Sequence, residues 1–191
     1  MRLRILSDLH LEFHHDGGAG FVRSLTADPD EVLILAGDIG VGAGLLSAIA
    51  ALCAKWRRVV FVAGNHEHYH HSPAKVHDIL RECERRHAGF HWLDNGCLTL
   101  DGQRFLGGTL WFSEAAGQEP ERWGLSDFEA IEDFEPWVSR DHERTVALLN
   151  RELCRADVVV THQLPSHACV APKWSKSPLN PFFVHDLCIE I

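Results

Sequence analysis

Four short runs in this chain, residues 3–6, 32–36, 59–63 and 158–161, are rich in Val, Ile, Leu or Phe, and each is followed at once by a polar cluster. An apolar run without alternation is what a strand covered on both faces requires, so the runs constrain the fold to a largely buried sheet. An apolar helix is expected at about residues 43–56 and an amphipathic one at 73–87, opened by Pro73. A third is expected at 139–155, with Val146, Leu149 and Leu153 on one stripe. Strand, helix, strand in that order implies parallel pairing with right-handed crossovers. In the middle, residues 90–93, 97–100 and 103–109 read as strands separated by Asp94-Asn95-Gly96 and Asp101-Gly102, dipeptides that favour tight hairpins, and predict an antiparallel meander. Residues 112–137 and 171–181 have poor periodicity and read as long surface loops.

The chain has 191 residues, 46% of them hydrophobic and 24% charged, which fits one globular domain with a full core. Its net charge of −9 and the lack of any Lys/Arg run longer than a pair exclude the electrostatic footprint of a nucleic-acid binder. An anionic substrate would then need some attraction other than side-chain charge. The six cysteines are scattered, with no Cys-x-x-Cys pair and no secretory leader, so free thiols in a cytoplasmic protein are expected. A membrane span is not expected in the apolar stretch 32–54. Residues 39–54 would span only about 24 Å as a helix, against about 30 Å of hydrocarbon, and Asp38 within the stretch would cost roughly 2.5–3.5 kcal/mol.

In an open α/β sheet the ligand site lies beyond the carboxyl ends of the strands. Here those ends carry Asp8-Leu9-His10, Gly37-Asp38-Ile39-Gly40, Gly64-Asn65-His66-Glu67 and Thr161-His162. Any one of these is an ordinary turn or cap. Together they bring oxygen and imidazole donors to one edge, the donor set of Mn, Fe or Zn and not of a thiolate site. The i, i+2 spacing of Asp8 and His10 puts both on one side of an extended segment, and the glycines permit close backbone approach. Asp38 has two oxygens with which to bridge two cations, and His66, beside Asn65, is free to face a leaving group.

Taken in order, these motifs resemble the calcineurin-like metallophosphoesterases over residues 3 to about 168. The family pattern is Asp-x-His, Gly-Asp, Gly-Asn-His-Glu/Asp, a later lone His and a final Gly-His-x-His. The resemblance implies an α/β fold, a sandwich of two mixed sheets flanked by helices. It also implies two divalent metal ions (Mn, Fe or Zn) and hydrolysis of a small phosphomonoester or phosphodiester by a two-metal-activated hydroxide. Asp8 and His10 would bind one metal, Asp38 would bridge, and Asn65 and His162 would bind the second. His66 would be the general acid or transition-state stabiliser, and Glu67 would orient these groups. The two cations would supply the positive field that the acidic surface lacks.

The final Gly-His-x-His is absent, and position 163 is Gln where relatives often carry His. The expectation is therefore a single domain over 1–191 that is C-terminally incomplete, lacking the strands that close the second sheet, with the site impaired and its metal content reduced to as few as one ion. Truncation or frameshift is the favoured account. Weak binding with water or His185 filling in, or a second subunit completing the face, are the others. An unpaired sheet edge invites a homodimer through that edge. The alternative reading is a non-catalytic metal-binding or interaction module descended from such an enzyme. His14, His15, His68, His70 and His71 flank the proposed site and read by default as surface. Trp111, Trp123, Trp137 and Trp174 would pin loops to the core or rim a pocket.

Overall fold

The computed structural model describes residues 1–185 together with residue 187; Cys188, one of the expected free thiols, lies outside them. Two sheets face each other. The first has the order β1-β2-β3-β4, all parallel, from Arg2–Leu6, Glu31–Ala36, Val59–Val62 and Phe90–Trp92. The second has the order β5-β6-β7, from Gly96–Leu100, Gln103–Gly108 and Val158–Thr161, with β5 antiparallel and β7 parallel to β6. The helices are α1 (Ala19–Ser24), α2 (Gly42–Cys53), α3 (Pro73–Arg86), α4 (Glu114–Gly117), α5 (Asp127–Ala130), α6 (Phe134–Glu152) and α7 (Asn180–Phe183).

The unbroken apolar runs are explained by what lies on each side of β2 and β3. Leu33, Leu35 and Phe61 pack with Leu45, Ile49, Val76 and Leu80 of α2 and α3, while Val32, Ile34, Val60 and Val62 pack with Phe105 and Val160 of the second sheet. Alternate side chains thus enter two different cores, and neither face tolerates polarity. Phe61 is fully buried, and its truncation to Ala would cost about 3–5 kcal/mol. On the far side, α6 lays Leu148 and Leu149 against Leu106 of β6. The layers run helices, sheet, sheet, helix, the expected sandwich. Pro73 begins α3, whose cap Ser72 accepts a hydrogen bond from the Lys75 backbone N–H.

The meander is corrected. Only β5 and β6 form a hairpin, through Asp101 (φ 49°) and Gly102 (φ 81°), the doubly left-handed turn that matches strand twist. Phe90–Trp92 instead extends the first sheet, and residues 93–95 carry the chain across to the second. A strand of only three residues, Phe90-His91-Trp92, has too short a pattern to tell it which sheet to join. The last predicted strand, β7, lies in the second sheet beside β6 and not among the first three. The expected loop 112–137 also holds a satellite core. Trp111, Phe112, Ile131 and Phe134 pack with Phe182 from α7, so aromatic packing without helical period fixes this segment. Trp111 is buried there, whereas Trp123 and Trp174 are exposed. No described helix is long and apolar enough to cross a membrane.

The sandwich is not covered evenly. On β1, Leu3 and Ile5 pair in register with Val32 and Ile34. Those two β2 residues are 0% and 2% exposed, yet Leu3 and Ile5 are 39% and 65% exposed. The second sheet therefore reaches over β2 and stops short of β1, and Val159 on its edge strand β7 is also exposed.

Candidate metal centre

The loops that leave β1, β2, β3 and β7 meet at one end of the sandwich. The first two are laced by backbone bonds: Asp8, His10 and Leu11 donate N–H to the carbonyls of Gly37, Asp38 and Ile39. Asp8 (φ 52°), His10 (φ 43°) and Asp38 (φ 56°) all take left-handed backbone, uncommon for side-chain-bearing residues, and this turns their donors inward. Gly37 (φ 88°) is required as well, because a Cβ there would meet His162 Nδ1 at 2.5 Å and the Gly64 backbone at 2.7 Å.

Asp38 is the centre of the arrangement. It is 4% exposed, and its two oxygens face opposite ways. Oδ2 lies 3.8 Å from His10 Nε2, and Oδ1 lies 3.6 Å from His162 Nε2. Asp8, His10 and Asp38 offer ligand atoms that all lie within 4.8 Å of one another. On the other side, Asn65 Oδ1 lies 3.3 Å from His162 Nε2. Two atoms bound to one cation at about 2.1 Å lie roughly 3.0–3.4 Å apart, so both groups are near ligation spacing.

The orientation of each donor is fixed from behind. His162 Nδ1 donates to the Ala36 carbonyl at 2.9 Å, which leaves Nε2 as the lone-pair nitrogen. Asn65 Nδ2 donates to Asp127 Oδ1 at 2.9 Å and to the Tyr69 hydroxyl at 3.2 Å, which assigns the amide and turns Oδ1 inward. Tyr69 itself donates to Asp127 at 2.8 Å. Burial holds the Asp127 carboxyl above its ordinary range, partly offset by those two donors. Glu67 is buried beneath the loops, where it accepts backbone N–H bonds from Asp38, Ile39, Gly40 and Gly64 at 2.6 to 3.3 Å and so joins the β2 and β3 loops. Burial and the neighbouring Asp38 charge push its carboxyl up to about 7, against the pull of those N–H donors.

His66 stands on the outer side. Its Nδ1 bonds Glu12 Oε1 at 2.8 Å, its ring stacks on Tyr69 at 4.2 Å, and its edge meets His10 at 4.3 Å. Glu12 Oε1 also lies 3.5 Å from His10 Nδ1. Glu12 and Asp127 are the residues that the sequence reading missed. Glu12 had a signal, since it continues the i, i+2 spacing of Asp8 and His10, whereas Asp127 comes from an aperiodic segment with none.

The carboxylates gather with little positive charge among them. Among the described residues the ionic partners of Asp38 and Glu12 are histidines, not Lys or Arg. Such a donor set fits divalent cations, which would hold the carboxylates together. Asp8, His10, Asp38, Asn65 and His162 are the residues placed to hold them. Two expectations are corrected. His185 packs on His142, ring centroids 5.0 Å apart behind the second sheet, and does not fill in at the cluster. His68, expected at the surface, is 2% exposed, packed on Trp111 and Trp137, and burial pushes it down to about 3.

The calcineurin-like phosphoesterase family model matches residues 1–183. Among solved structures, a phosphopantetheinyl hydrolase from Mycobacterium tuberculosis has the same fold, with a TM-score of 0.75 at 20% identity. The match covers 97% of this chain and 76% of that one. A protein of unknown function from Aquifex aeolicus overlaps at a TM-score of 0.38 and 14% identity, over 82% of this chain and 75% of that one. No curated protein matches.

Proposed function

The chain belongs to the calcineurin-like phosphoesterase family, and on that premise we propose that it is a metal-dependent phosphoesterase acting on a small phosphomonoester or phosphodiester. The observation that carries this reading is the split of Asp38, whose two oxygens face His10 on one side and His162 with its neighbour Asn65 on the other. A carboxylate placed in this way could serve two cations at once. Divalent ions, when bound, supply the charge neutralisation and the water acidification that ester hydrolysis needs.

The protein's own groups divide the remaining work. Asp8 and His10 hold one side of the site and Asn65 and His162 the other, while Glu67 keeps the β2 and β3 loops at a fixed separation. Glu12 accepts from His66 Nδ1, so the ring that acts as the acid would be the imidazolium, whose second proton, on Nε2, is the one given to a departing alkoxide. With histidines, not Lys or Arg, as the ionic partners of Asp38 and Glu12 among the described residues, the cleft would attract an anionic ester chiefly when its cations are present, so substrate affinity and metal content rise together.

The test is elemental analysis of the Mn-loaded chain beside assays on 4-nitrophenyl phosphate and bis(4-nitrophenyl) phosphate, with Asp38→Asn as control. Metal retained together with turnover that Asp38→Asn abolishes supports the reading. Metal retained without turnover on either class of ester overturns it.

A further inference from the structure

Phe13 has no evident packing role for a residue of its type. It ends the short turn Leu11–Phe13 that follows Asp8-Leu9-His10, and it is 75% exposed. Isolated exposed aromatics are ordinary. This one is placed beside the proposed proton donor: its ring centroid lies 5.9 Å from His66 at an interplanar angle of 82° and 5.9 Å from His10. His66 in turn is backed by Tyr69. The two histidines thus support Phe13 from one side while the greater part of its ring stays open to solvent.

The position also has a chemical meaning. If His66 protonates the departing oxygen, the leaving group sits next to His66 and hence next to Phe13. We infer that Phe13 is a specificity-determining residue that stacks a planar, aromatic leaving group, so that the substrate class is phosphoesters of aromatic or heteroaromatic alcohols. This rests on the phosphoesterase reading above and adds to it the character of the group that leaves. A phenyl ring offers its face to any π-system and hydrogen-bonds none, so it selects for planarity and not for a particular base. The Glu12 carboxylate adjacent in sequence is engaged by His66 and His10, and the aromatic ring is the group left to meet the substrate at this rim.

The experiment measures binding and not turnover, with ligands that cannot be hydrolysed. Calorimetric titrations of the Mn-loaded chain would compare phenylphosphonate, methylphosphonate and inorganic phosphate, for the wild type, Phe13→Ala and Phe13→Trp. The expected result is about a tenfold preference for phenylphosphonate over methylphosphonate in the wild type. That ratio falls to within about twofold in Phe13→Ala and is kept or raised in Phe13→Trp. Since Phe13 is exposed, neither substitution threatens folding. An unchanged ratio in Phe13→Ala, or no preference in the wild type, overturns the inference and leaves the phosphoesterase reading standing. Failure of all three ligands, phosphate included, to bind the Mn-loaded chain overturns the phosphoesterase reading itself and the inference with it.

Discussion

The two sheets carry very different shares of the site. The first is clothed on both faces across β2 and β3, and its three leading strands place Asp8, His10, Asp38, Asn65 and His66 through loops tied by Glu67 and by backbone bonds. Among the described residues the second has three strands, covers only part of its partner, and contributes only His162. The difference shows how a metal centre depends on paired neighbours. A donor that emerges between two hydrogen-bonded strands inherits their rigidity, whereas His162 leaves an edge strand that is paired on one side among the described residues.

The comparison can be broken most directly at the shared carboxylate. Asp38→Asn is expected to abolish hydrolysis and to strip metal from both groups of ligands, as read by elemental analysis; retention of full metal content would mean that the two sides do not share Asp38. His66→Gln should lower turnover by about 10²–10⁴-fold with metal still bound, and equal metal loss in both variants would contradict the separate roles. Asp127→Asn removes the support behind Asn65 and should weaken metal binding by about 10–100-fold, measured by competition with a chelating dye. A pH effect sharpens the picture away from the metal ligands. His68 has a folded-state value near 3, below its ordinary 6.5, so the folded form resists its protonation; the stability it contributes is present above pH 6.5 and is lost as pH falls. About 2 kcal/mol should disappear between pH 6.5 and 5, and in His68→Gln urea titrations that slope should flatten. The smallest change concerns the edge. We expect the chain to self-associate through β1 and β7, and Ile5→Lys should shift light-scattering mass toward the monomer while altering unfolding free energy by only about 0.5 kcal/mol, because Ile5 is already exposed.

Much of this was visible in the sequence because the physics was local. The runs at 32–36 and 59–63 had to be covered on both faces, and the polar clusters that follow them had to gather at the carboxyl ends of the strands. The placement of Phe90–Trp92 was not visible, since a strand of three residues carries too short a pattern to choose between the sheets. Asp127 was hidden for another reason. It sits 62 residues from the Asn65 it supports, in a segment held by Phe112, Phe128, Phe134 and Phe182, whose spacing follows neither a helix nor a strand. His68 was misplaced because a histidine among histidines reads as solvated, and only the two tryptophans brought from residues 111 and 137 bury it.

The left-handed backbone at Asp8, His10 and Asp38 has a bearing on how far this protein can be stabilised. Each position holds an L-residue where glycine would be more comfortable by about 1 kcal/mol. A search that rewarded melting temperature alone would therefore be drawn to glycine at Asp8 and His10, discarding their donors, while at Asp38 the carboxylate also accepts the His66 backbone N–H at 2.9 Å and so offsets its strain. Thermal robustness and ion capture are opposed at Asp8 and His10, and a designer who wants both must seek the gain elsewhere, on the uncovered edge of β1, where nothing catalytic is at stake.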